Sequence, residues 1–68
     1  MSDIGKRIKD ERIAKKMSQQ ELADMLGLKQ HTISQYETDI IRPSYEVLVQ
    51  IANILNVTTD YLLGREKF

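Results

Sequence analysis

Between positions 30 and 38 the chain reads QHTISQYET, a stretch of hydrogen-bonding side chains with one acid, Glu37. A helix turns about 100° per residue, so with Ile33 facing a core, Tyr36 and Glu37 fall within about 60° of it. His31 and Gln35 then lie about 160° away and Thr38 about 140° away, with Thr32 and Ser34 on the flanks. Gln30 is nearer the core in azimuth, but from the first turn it reaches forward past the helix end. The outward surface is therefore Gln30, His31, Thr32, Ser34, Gln35 and Thr38, none of them a carboxylate. Such groups suit the edges of base pairs: a glutamine bonds adenine bidentately, and a threonine methyl packs on thymine. The same residues are also ordinary on a solvated helix face. What favours the first reading is the frame that holds them. His31, the one histidine, has no serine, cysteine or acid at a local spacing that suggests catalysis, and reads as groove-facing or merely exposed.

That frame is Gln19 to Tyr36, where Leu22, Ala23, Leu26, Gly27, Leu28, Ile33 and Tyr36 stand as two short helices at a steep angle need them. Ala23 lets a second helix axis pass close by. Gly27 takes the positive φ that ends the first helix, and Ile33 plugs the second against it. This is the helix-turn-helix pattern, spanning about 18–38, with its second helix offered to a DNA major groove.

Around it the sequence predicts an all-α, compact five-helix domain occupying residues 1–68. Helix one covers 3–15, with Ile4, Ile8 and Arg12 in line. Ser18 and Glu21 form a capping box for helix two, and helix three covers 29–38. Pro43 breaks the chain before helix four, which Ser44 caps; Glu46 in its first turn complements the helix dipole. Val47, Leu48, Ile51, Ala52 and Leu55 recur at three- and four-residue spacing. Thr58 caps a short fifth helix with Tyr61, Leu62 and Leu63, and Gly64 ends it. Helices four and five, about 44–63, complete the core.

Composition narrows the function. With 68 residues there is one domain; with no cysteine and one histidine there is no thiolate or histidine-rich metal site. No apolar run approaches the roughly 18 residues of a membrane-spanning helix. Net charge is zero, yet residues 1–16 carry +3, residues 17–43 carry −2 and residues 44–68 carry −1. Long-range attraction to phosphate is therefore modest, and a fitted hydrogen-bonding surface has to matter more.

The blocks IGKRIKDER, SQQELADMLGL, TISQYE, RPSYEVLVQIANILNV and TDYLLG, in order, resemble the Cro/C1-type (XRE) helix-turn-helix family of phage and bacterial repressors. The resemblance implies a lambda-repressor-like fold and a sequence-specific transcriptional regulator, acting as a homodimer on a near-palindromic double-stranded DNA operator. By position it implies base contacts from Gln30, His31, Thr32 and Gln35. It implies phosphate contacts from Gln19, Ser34, Thr38 and Arg42, and a structural ion pair between Arg12 and Glu37. Three departures stand out. Lys29 replaces the usual Ser or Thr cap, losing a cap while gaining a phosphate or base contact. Thr38-Asp39-Ile40-Ile41 replaces the usual Asn-Gly loop, with Asp39 adding a repulsive charge. Ile40 and Ile41 read equally well as packing beneath helix four or as a dimer contact. Glu11 takes a site that is commonly leucine. Ile54, Tyr61, Leu63 and Phe68 exceed what a small core covers, and in relatives this end forms the dimer interface.

The expectation is thus a DNA-binding regulator, a repressor, with no cofactor, metal or evident small-molecule ligand, working in the cytoplasm on the nucleoid of a bacterial or phage-infected cell. The alternative is an antitoxin or protein-interaction module on the same fold. No catalytic motif supports an enzyme.

Overall fold

The computed structural model describes residues 3–65: α1 (Ile4–Ala14), α2 (Gln19–Leu26), α3 (Gln30–Glu37), α4 (Tyr45–Leu55) and α5 (Thr59–Leu62), with no strand among the described residues. The start signals act as their chemistry requires. The Ser18 hydroxyl accepts from Glu21 N at 3.0 Å while Ser18 N donates to Glu21 Oε1 at 2.8 Å, closing the capping box. Ser44 Oγ accepts from Val47 N and Thr58 Oγ1 from Tyr61 N. Lys29, at the N-cap of α3, offers no side-chain bond.

All five helices stop in the same way. Among the described residues, those with positive φ are Lys16, Gly27, Asp39, Asn56 and Gly64. After each, the next N–H reaches back five residues: Met17 to Arg12 O, Leu28 to Ala23 O, Ile40 to Gln35 O, Val57 to Ala52 O and Arg65 to Asp60 O, at 2.8–3.1 Å. This is the Schellman closure, which satisfies carbonyls that the helix leaves unpaired. Asp39 thus takes the left-handed conformation without the glycine usual in this loop.

The helices enclose one core in which Ile8, Leu22, Ile33, Ile51, Leu55 and Leu62 are fully buried. α2 packs on α3, α1 on α3 and α5, and α4 on α2 and α5. Ala23 is buried with no exposed surface, at the crossing of the two motif helices. The tightest approach is elsewhere. A Cβ on Gly5 would sit 2.5 Å from Tyr36 O and 2.6 Å from Glu37 O, so α1 lies directly on the end of α3. The expected stripe on α4 is the buried one except for Val47, which is half-buried.

Candidate nucleic-acid interface

Gln19 and Gln30 are the first residues of α2 and α3, and the helix crossing sets them side by side. Gln30 Nε2 donates to Gln19 Oε1, and Gln19 Nε2 donates to Glu37 Oε1 at 3.0 Å. Glu37 in turn is paired in a fork with Arg12: Nε to Oε2 at 2.7 Å and Nη2 to Oε1 at 3.1 Å. The remaining Arg12 nitrogen, Nη1, holds Met17 O at 2.7 Å in the turn before α2. One hydrogen-bonded chain therefore runs from a buried guanidinium through a buried carboxylate and a half-buried amide to an exposed amide. The charged pair is nearly sealed, with the Arg12 and Glu37 side chains 10% and 2% exposed. Such a pair contributes rigidity through complete bonding, and removing either partner leaves an uncompensated charge.

The outer face of α3 follows the azimuths read from the sequence in part, with Gln35 more covered and Gln30 more open than they imply. Gln30 and His31 are exposed, and Thr32, Ser34 and Gln35 are half-buried. Tyr36 and Glu37 are buried, so α3 exposes no carboxylate. Lys29 before α3 and Arg42 after it are both exposed. The adjoining starts of α2 and α3, with Lys29 at the N-cap of the second, form a setting that favours an anion.

The loop differs from its sequence reading. The Thr38 hydroxyl donates to Ser34 O at 2.8 Å, and Thr38 N also donates to Ser34 O, at 3.1 Å. Both its donors close the end of α3, so a bond from either to phosphate has to displace one of these. Asp39 is not simply a stray negative charge: its Oδ1 accepts from Gly5 N at 3.2 Å, a cap on α1 supplied from across the fold. Ile40 and Ile41 do not pack beneath α4. They are 69% and 40% exposed, and Tyr45 beside them is 72% exposed.

The four dimer candidates fall in different places. Ile54 and Tyr61 pack against the core, and the Tyr61 hydroxyl donates to Glu11 Oε2 at 3.1 Å. Leu63 is exposed, and Phe68 lies outside the described residues. Glu11 thus replaces an apolar packing residue with a polar tie to α5. Sequence reasoning missed the exposed Tyr45, the cap from Asp39 and the bonds joining Gln19 to Gln30 and Glu37. Glutamines at both helix starts were the only signal for the last.

A helix-turn-helix family model matches residues 8–62. The P22 c2 repressor, solved in complex with a synthetic operator, superposes with a TM-score of 0.89 at 32% identity, covering 97% of this chain and 100% of that one. The N-terminal DNA-binding domain of SinR from Bacillus subtilis gives a TM-score of 0.80 at 34% identity, over 88% of each chain. The transcriptional regulator ImmR of Bacillus subtilis (strain 168) is 38% identical over 64 residues, which are 94% of this chain and 50% of ImmR. The chain spans about half the length of such regulators. With the motif at 8–62 and the five-helix fold of a phage repressor domain, the chain belongs to the Cro/C1-type (XRE) helix-turn-helix family of DNA-binding transcription regulators, which are not enzymes.

Proposed function

We propose that this chain is the operator-reading domain of a repressor, placing α3 in a DNA major groove and binding a near-palindromic site as a dimer. The observation that carries the reading is the Gln19–Gln30 pair at the adjoining starts of α2 and α3, on a face of α3 free of exposed carboxylates. Gln30, His31, Thr32 and Gln35 read base edges. Gln19, Lys29, Ser34, Thr38 and Arg42 hold the backbone, Thr38 by releasing a donor from Ser34 O. The relatives support this: one neighbour is the P22 c2 repressor on an operator, another is SinR in complex with DNA.

Dimerisation is argued from the apolar surface that one copy leaves open. Leu63 after α5 is exposed, as are Ile40, Ile41 and Tyr45 on the segment after α3. Two copies in register set their α3 helices about 34 Å apart, one turn of DNA. Occupying an operator places the protein on the nucleoid in the cytoplasm. The test is selection from a random-sequence duplex pool, followed by sedimentation of the complex. A two-fold related consensus bound by two copies is expected. Enrichment of no sequence would overturn DNA reading, and one copy on a single half-site would overturn dimerisation.

A further inference from the structure

Hydrogen-bond polarity runs one way along the chain from Arg12 to Gln30. Glu37, forked with the Arg12 guanidinium, offers only acceptor oxygens. The Gln19 atom 3.0 Å from Glu37 Oε1 is therefore its NH2 group. The Gln19 carbonyl oxygen must then face Gln30, and because a carbonyl only accepts, Gln30 turns its own NH2 group inward. One N–H of Gln30 is used. Its second N–H and its carbonyl oxygen remain side by side at the start of α3.

We infer that Glu37, which touches no base, decides which way round Gln30 presents this donor and acceptor, and so sets base preference at one pair of the site. The inference rests on α3 being the helix that enters the groove. Adenine offers an N7 acceptor and an N6 donor in a fixed spatial order. An amide locked in one sense matches that order and mismatches its reverse. An amide free to turn over satisfies both and discriminates less. Glu37 is thus a positioning residue acting through Gln19, and the ion pair with Arg12 anchors the polarity as well as the fold.

The test uses a random-sequence duplex pool and three variants, each checked for folding by circular dichroism. Gln30→Ala identifies the base pair concerned as the one whose preference it removes. Glu37→Gln keeps the shape but offers Gln19 either an NH2 or a carbonyl. Gln19→Leu cuts the chain while leaving the ion pair intact, and it decides the matter if Glu37→Gln does not fold. Both are expected to relax preference at that one pair by about tenfold, with preferences elsewhere in the site retained. The readout is relative preference at each base pair and not overall affinity, which Gln19→Leu also lowers by removing a phosphate contact. Unchanged preference at that pair in a folded Glu37→Gln or Gln19→Leu, or preference relaxed equally at every pair of the site, overturns the inference. So does a Gln30→Ala profile identical to the wild type, which leaves DNA reading itself standing. If the wild type enriches nothing, the groove reading falls and takes this inference with it.

Discussion

Adjacent residues of α1 tie it to opposite sides of the molecule, and the two ties are built differently. Arg12 reaches α3, where its fork with Glu37 is sealed from water and continues through Gln19 to Gln30. Glu11 reaches α5, where it accepts from the Tyr61 hydroxyl in a half-buried contact, with the Arg7 guanidinium 5.2 Å from the Tyr61 ring centre. The first tie has charge on both partners and every bond directed. The second is neutral on one side, partly wet and bordered by a cation–π contact. The difference teaches where accuracy is needed. The side facing the proposed groove is held by interactions that fail badly when one partner is lost, and the far side by interactions that degrade gently.

Arg12→Ala should break this contrast most violently. It leaves Glu37 buried and unpaired, and unfolding in urea should show a loss of about 3–5 kcal/mol. A loss below 1 kcal/mol would mean that water reaches the pair. Gly5→Ala tests the same side by sterics. Its new methyl meets backbone carbonyls of Tyr36 and Glu37 rather than a yielding side chain, so about 1–3 kcal/mol of stability should go. Gln30→Ala, at the exposed end of the chain of bonds, should spare stability and cost about 1–3 kcal/mol of affinity for a selected duplex. Tyr61→Phe removes only the hydroxyl on the other side. It should cost about 1 kcal/mol in the melting profile and leave base preference unaltered. A changed preference would show that the two sides are coupled through α1. Lys6→Ala sits at the bottom of the scale. The Lys6 ammonium is held above its ordinary 10.5 by the hydrogen bond and charge of Asp10, but the pair is open to solvent. Exposure leaves such a pair worth little, so the melting temperature at neutral pH should not move, and whatever the pair adds is present below pH 10.5 and fades as pH rises past the shifted value.

Much of this was legible in the sequence because its signals are local. The capping box at Ser18 and Glu21, the stop at Gly27 and the α4 stripe each depend on residues within one or two turns. Periodicity alone also put Tyr36 and Glu37 inward and His31 outward, though Gln35, read as equally outward, is half-buried. The loop after α3 was read less well. The glycine usual there is absent, and Asp39 looked like a charge facing phosphate. Its left-handed conformation and its bond to Gly5 N depend on where α1 lies, 34 residues earlier. Lys16 and Asn56 escaped notice for a related reason: only glycine advertises a positive φ in the sequence. Ile40 and Ile41 were undecided between core and surface, since apolar character says nothing of which surface it covers.

By itself, then, the sequence determined five amphipathic helices, their caps, and the family to which the motif belongs. Short-range sterics and the period of the helix are enough for that. Only the tertiary structure decided which polar atoms meet. The crossing of α1, α2 and α3 gathers Arg12, Gln19, Gln30 and Glu37 from four places in the chain into one directed line of hydrogen bonds. Hydrogen bonds are short and directional, so their partners follow from the placement of whole helices rather than from any local spacing.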